Sequence, residues 1–248
     1  MDKKPTKKEL KELRRMEKDA QKRTSLTAES KPDEAMKWVT LGIVAIIVVG
    51  LFGFIVYSSV QKNAERERLA NTAFKMADTG YYRGATASAQ VTMTEFSDLQ
   101  CPACKANEPF VRQALTDFPK ELRLQYKHFP LTTVHKNAMV SAQAAEAAGA
   151  QGKFWEMHDL LFERQEVWAE SSNPKDTFVG YARELGLDTD RFQEVMNDPK
   201  TQKKIEDQMN EGINLGVNAT PTFYVNGKKV ETGSYTVLKE AIQKEIKK

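Results

Sequence analysis

The hydropathy pattern divides the chain before any motif does. Residues 38–57, Trp38 to Tyr57, form a twenty-residue run without a charged side chain. As a helix this run spans about 30 Å, the thickness of a bilayer's hydrocarbon core, with Trp38 and Tyr57 placed for the two interfaces. A helix buried in a soluble core keeps a polar face, and this one has none. A cleavable signal peptide fits poorly, because the preceding tail and the apolar run are both too long and no A-x-A site follows Tyr57. Residues 1–37 are Lys- and Glu-rich, and as far as Lys31 they hold hardly any apolar residue beyond Leu10, Leu13, Met16 and Leu26; they are expected to be a solvated tail, disordered or a fraying helix. Beyond the apolar run, residues 58–85 are expected to be a stalk, helical from Gln61 to Ala77 and ended by Gly80 and Gly84.

From Ser88 the period changes. Residues 89–97 alternate as a strand does and break at Asp98-Leu99-Gln100. Pro102 suits the first turn of a helix, down which Ala106, Phe110, Val111 and Leu115 are predicted to form the apolar stripe. A second strand covers residues 122–129 and stops at Pro130. Residues 133–217 read as helical throughout, with an Ala-rich helix to Ala148 and a second over residues 153–165. Asn173-Pro174 and Asp198-Pro199 are cap-plus-proline starts of two more, the first stopped by Gly186. Strands return at residues 222–225 and 228–231, joined by Asn226-Gly227 as a type I′ turn. Ser234 caps a last helix with Leu238, Ala241, Ile242 and Ile246 facing inward. The order is β, α, β, helical block, β, β, α, an α/β domain over residues 86–248.

Charge refines this division. The net charge of +3 is uneven: residues 1–37 carry 12 Lys or Arg against 8 Asp or Glu, and residues 58–248 carry 25 against 26. The globular part has no basic excess with which to neutralise phosphates, so nucleic acid is not an expected partner. The basic tail favours a cytoplasmic N-terminus by the positive-inside rule, which makes the apolar run an uncleaved signal anchor with residues 58–248 outside the cytoplasm at the cell membrane.

Chemistry concentrates at Cys101-Pro102-Ala103-Cys104, which holds both cysteines of the chain. A C-x-x-C pair at a strand-to-helix turn suits a dithiol that cycles with a disulfide, and a lone pair in an otherwise cysteine-free chain is what an oxidising compartment tolerates. A metal site needs two further ligands. Only His128, His135 and His158 are on offer besides carboxylates, so no metal is expected. His158 shares a helix face with Phe154, Leu161 and Phe162 and reads as a histidine of the core or of a cavity edge.

The segments Phe96–Cys104, Gln151–Phe162 and Ala219–Gly227 resemble, in that order, the DsbA-like branch of the thioredoxin superfamily, and more narrowly its membrane-anchored thiol:disulfide oxidoreductases. The resemblance covers residues 86–248. It implies a thioredoxin fold with a helical insertion, about residues 133–217, between the second strand and a strand that opens on a cis proline. Thr220-Pro221 is similar to that element, whose proline lies against the disulfide and leaves the preceding backbone open to a substrate strand. Cys101 sits where helix N–H groups and the dipole favour a thiolate, so it is expected to be the nucleophile, and Cys104, one turn in, the resolving cysteine. Glu95 matches the buried acid beneath the dithiol; its alternation with Val91 and Met93 points inward, where a carboxyl with a raised pKa suits proton transfer with Cys104. The Pro102-Ala103 pair tunes the potential. In the DsbA family the residue at position 103 is often a histidine, and Ala103 departs from that.

The resemblance implies a protein disulfide oxidase for exported proteins with reduced thiols, reoxidised by a quinone-linked membrane partner similar to DsbB or to vitamin-K-epoxide reductase, with no cofactor of its own. A reductase or isomerase of the same fold is the first alternative, and a membrane-tethered binding module without redox activity is the second.

Overall fold

The computed structural model describes residues 7–26, 34–71, 73–86, 88–231 and 234–247. They form two units, one ending at Asn63 and the other beginning at Ala64. In the first, helix α1 runs Lys7–Leu26, within the segment expected to be disordered or a fraying helix. Residues 1–6 and 27–33 of the expected tail lie outside the described residues. Helix α2 runs Glu34–Asn71, and its part Leu41–Asn63 is long and apolar enough to cross a membrane, with large exposed side chains such as Ile46, Val49 and Phe52.

The second unit is built on a five-stranded mixed sheet. Strand β1 (Tyr81–Gly84) is followed by β2 (Val91–Ser97), helix α3 (Pro102–Asp117) and β3 (Leu122–His128). Six helices come next: α4 (Ala138–Gly149), α5 (Phe154–Glu163), α6 (Gln165–Trp168), α7 (Pro174–Glu184), α8 (Thr189–Asn197) and α9 (Pro199–Asn214). Strands β4 (Thr222–Val225) and β5 (Lys228–Val230) and helix α10 (Tyr235–Ile246) complete it. The sheet order is β1-β3-β2-β4-β5, with β2 parallel to β3 and every other pairing antiparallel. This is the thioredoxin fold, with α4–α9 inserted between β3 and β4.

Alternation along β2 decides what lies on each face. Val91 and Met93 join Leu122, Leu124, Phe223 and Val225 in a core closed by Val111 and Ala114 of α3 and Leu238 and Ile242 of α10. Phe96 points the other way, into a smaller core with Phe129, Val217 and Tyr224. The insertion builds a third core around Trp168, Phe178 and Phe192, which also takes in Leu99 and both cysteines. The β4–β5 hairpin has the expected type I′ geometry, with Asn226 at φ 47° and Gly227 at φ 77°.

Four expectations need correction. The stalk does not extend to residue 85, because Tyr81–Gly84 is an edge strand paired with Arg123–Tyr126 of β3. Gly80, expected to end a helix, instead has φ 91° and lies so close to β3 that a Cβ would meet the Tyr126 carbonyl oxygen at 2.2 Å. The buried stripe of α3 is Cys104, Glu108, Val111 and Ala114; Ala106 is exposed and Phe110 only half-buried. Helix α8, between Gly186 and Asp198, was not separated from its neighbours within the expected helical block. Its signal was Asp188, whose carboxylate accepts from the N–H groups of Asp190 and Arg191.

Candidate active site

The dithiol sits where β2 hands the chain to α3. Cys101 is the N-cap residue of that helix and Pro102 fills its first turn, where a missing N–H costs nothing. Asp98 braces the turn between them. Its carboxylate accepts from the N–H groups of Gln100 (2.8 Å) and Leu131 (2.9 Å) and pairs with His135 Nδ1 (2.7 Å). Its backbone carbonyl accepts from Cys101 N–H (3.0 Å), and its own N–H donates to Cys104 Sγ (3.5 Å). Gln165 donates to the carbonyls of Leu99 (2.8 Å) and Cys101 (3.2 Å), which ties the insertion to the same loop.

The two cysteines are both free and only three residues apart, yet their environments differ sharply. Donation from the Cys104 thiol pulls Cys101 down to about 5. Burial opposes this, while Thr220 and the backbone N–H groups of Cys104 and Ala103 add to it. Burial pushes Cys104 well above its usual range, and Cys101 and Glu95 reinforce the rise by their negative charge. At neutral pH the first sulfur is a thiolate and the second a thiol. Across from them, Thr220-Pro221 is a cis peptide bond, and the Thr220 carbonyl lies 3.5 Å from Cys101 Sγ.

Glu95 lies on the α3 side of β2, level with Tyr126 of β3. It is 1% exposed, and neither carboxylate oxygen has a hydrogen-bond partner. Burial, helped by the charge of Glu108 and opposed by the nearby Ser97 hydroxyl, raises it from 4.5 to about 8. An unpartnered buried carboxylate is costly unless it holds its proton, so Glu95 is a neutral acid at pH 7.

Glu108 escaped the sequence reading. It sits four residues after Cys104 on the same helix face, so a carboxylate interrupting an apolar stripe was the available signal. His158 Nε2 is 3.8 Å from Glu108 Oε1, and its Nδ1 lies 2.9 Å from Asp159 Oδ1. Ligand atoms of Glu108, His158 and Asp159 lie within 4.8 Å of one another, close enough to share a metal ion. Asp159 is already held by Arg83 at 2.9 and 3.1 Å and by Arg112 at 3.2 Å, so two cations stand where a metal would. The set suits hydrogen bonding better. His128, the remaining histidine, is buried 3.5 Å from Glu146 on the insertion. Burial works against that carboxyl, but His128 and Lys204 hold it down at about 2.

Among known proteins, residues 76–244 match the thioredoxin family. A crystal structure of a thioredoxin-like oxidoreductase from Silicibacter pomeroyi superposes with a TM-score of 0.60 at 28% identity, over 74% of this chain and 98% of that one. Oxidised BdbD from Bacillus subtilis superposes at 0.61 and 24% identity, over 66% and 92% respectively. A curated relative, the Na(+)/H(+) antiporter NhaA 1 of Salinispora arenicola, is 44% identical over 160 residues, which are 64% of this chain and 23% of that protein. The chain thus spans about a quarter of that relative's length. With its domain matched over more than half its length, its sheet order and its cysteines at the head of α3, this chain belongs to the thioredoxin family, with the DsbA-like form of the fold.

Proposed function

We propose that this chain is a membrane-anchored thiol:disulfide oxidoreductase acting outside the cytoplasm, and that it works as an oxidase of exported proteins. The observation that carries the direction is the contrast between the cysteines, with Cys101 lowered to about 5 and Cys104 raised. Stabilising the thiolate stabilises the reduced pair and makes its disulfide the stronger oxidant. A substrate thiolate attacks Cys101 of the disulfide, and Cys104 leaves and takes a proton from Glu95. The substrate's second thiolate then attacks its own sulfur in the mixed disulfide and releases Cys101 as a thiolate. Two electrons pass to the cysteine pair and onward to a quinone-linked membrane partner of the DsbB or vitamin-K-epoxide-reductase kind. The Thr220 backbone, beside Cys101, offers the substrate strand its hydrogen bonds. Leu41–Asn63 is the anchor, and the basic N-terminal tail places the domain on the far side of the membrane.

The test is the reduction potential of the full chain in detergent, poised in glutathione buffer. A value of about −120 to −180 mV supports oxidase or isomerase, and one of about −270 mV assigns a reductase. Oxidation of a reduced protein substrate, as against reshuffling of a scrambled one, then separates oxidase from isomerase. Cys101→Ser abolishes both activities.

A further inference from the structure

Helix α1 carries a block of charge that neither the thioredoxin fold nor the dithiol uses. At about 100° per residue, Lys7, Lys8, Lys11, Arg14, Arg15 and Lys18 fall within about 120° of the helix circumference, and no acid shares that arc. Side chains three and four positions apart are neighbours on a helix. For Lys11 these are Lys7, Lys8, Arg14 and Arg15, all of them cations, and for Lys18 they are Arg14, Arg15, Gln21 and Lys22. Glu12 and Asp19 stand at one rim of the arc and leave its middle uncompensated. The six cations are exposed, and none makes an ion pair with a described residue. Like charges in this spacing work against the helix, and a helix of 20 residues is already marginal in water. An anionic surface laid against the arc turns the same charges into a stabilising contact. The opposite side holds Leu13 and Met16, 55% and 70% exposed, with Glu17 beside them, an apolar stripe too narrow and interrupted to bury itself.

We propose that α1 is a membrane-surface helix: its basic face lies on anionic lipid headgroups of the leaflet on its own side, held there by charge and without insertion of apolar side chains. The inference rests on reading Leu41–Asn63 as a membrane span, and it is independent of the chemistry of the cysteines. Chain length supplies the partner. Residues 27–33 separate α1 from α2 and reach about 25 Å at full extension, and the apolar stretch begins about two turns into α2. Headgroups of the membrane that α2 enters are therefore always within reach of α1. A cluster of four to eight Lys or Arg beside a span is what an anionic leaflet holds, each cation strengthening adsorption about fivefold. Charge rather than apolar burial is the holding force, because the cations point away from Leu13 and Met16. Inserting those two side chains would turn the basic arc toward water.

The experiment is backbone hydrogen exchange over residues 7–26 of the full chain in lipid nanodiscs, whose two faces are both open to solvent, made of phosphatidylcholine alone or of phosphatidylcholine mixed with anionic phosphatidylglycerol. In neutral discs α1 is expected to exchange as a marginal helix does, and in anionic discs at least about tenfold more slowly. Raising the salt from about 0.15 M to about 0.5 M cuts the screening length from about 8 Å to about 4 Å and is expected to remove the difference. The triple variant Lys11→Gln, Arg15→Gln, Lys18→Gln keeps good helix formers and loses about 100-fold in adsorption, so in anionic discs it is expected to exchange as the wild type does in neutral ones. Leu13→Gln with Met16→Gln is expected to keep the protection, and its loss there means insertion of the apolar side and overturns the proposal. Equal exchange in the two kinds of disc also overturns it. Protection that appears only when a short RNA is added to neutral discs assigns the face to nucleic acid and overturns it as well. A chain that fails to enter the discs at all would instead sink the reading of Leu41–Asn63 as a span.

Discussion

Two ionisable side chains are buried on opposite faces of the same sheet, and the fold treats them in opposite ways. Lys127 on β3 is fully buried, and every donor of its ammonium group is used: Glu211 Oε2 at 2.5 Å, the Ala77 carbonyl at 2.9 Å and Thr79 Oγ1 at 3.1 Å. Burial pulls its pKa below 10.5 while Glu211 pushes back. Glu95 on β2 is as deeply buried, and neither of its oxygens makes a hydrogen bond. A buried charge that is paired and hydrogen-bonded on all sides fixes an arrangement. One left bare sits at the low-stability end of what a fold tolerates and is free to exchange its proton. The Lys127 face holds residues 77–79 and α9 to the sheet, and the Glu95 face carries the chemistry.

The contrast is broken most severely by removing the paired charge. Lys127→Met takes the ammonium from Glu211 Oε2 and from Thr79 Oγ1 and leaves the Ala77 carbonyl with the Gln125 amide alone. Breaking a buried pair from one side costs about 3 to 5 kcal/mol. Urea unfolding is expected to show that loss, while alkylation of Cys101 in the folded fraction keeps its wild-type rate and pH midpoint. A shifted midpoint would mean that the two faces are coupled after all.

Removing the unpartnered carboxyl does the reverse. Glu95→Gln slows exchange by about 100-fold at pH 7 yet raises stability above pH 5. The sign follows from the protons bound. Between 4.5 and about 8 the unfolded carboxyl has ionised and the folded one has not, so the native state binds the extra proton and wild-type stability falls as pH rises through that window. Glutamine carries no such penalty. The unfolding midpoints of the two proteins are expected to be nearest at pH 4.5 and to diverge toward pH 8 in favour of Glu95→Gln. A gap that stays constant with pH would show that Glu95 ionises freely in the fold.

How much of this was legible follows from which residues announce themselves by type. Cys101-Pro102-Ala103-Cys104 shows its chemistry in four letters, and Thr220-Pro221 shows its place through the motif around it. Glu95 could be placed because period-two alternation with Val91 and Met93 fixes a strand residue's face. The same rule makes Lys127 look like a solvent-facing position between buried neighbours, since nothing local reveals that α9 and residues 77–79 cover that face. Strand β1 was hidden because three residues between two glycines offer no period to read, and its evidence is the pairing with β3. His158 read as a core or cavity-edge histidine, and it is one; its bare Nε2 appears only when α3 and α5 are brought together.

The smallest effects sharpen the comparison furthest, because two hydroxyls can be deleted with almost nothing else changed. On the Lys127 face, Thr94 Oγ1 lies 2.8 Å from Gln125 Oε1, and the two N–H groups of the Gln125 amide are surrounded by three acceptors, the carbonyls of Ala77 (2.9 Å) and Thr79 (2.7 Å) and the Tyr82 hydroxyl (2.8 Å). Because that nitrogen is oriented by its three acceptors, Gln125 Oε1 is the acceptor and Thr94 the donor. Thr94→Val leaves a buried carbonyl oxygen without a donor and is expected to cost about 1 to 3 kcal/mol in urea unfolding. On the Glu95 face, the Tyr126 hydroxyl is buried without a partner, and burial together with the charges of Glu95 and Cys104 keeps it protonated. Tyr126→Phe removes a polar group that pairs with nothing, leaves no orphan behind, and is expected to be neutral or stabilising. If Tyr126→Phe instead costs as much as Thr94→Val, the hydroxyl donates to Glu95 in solution, the carboxyl is not bare, and the difference between the two faces is one of degree.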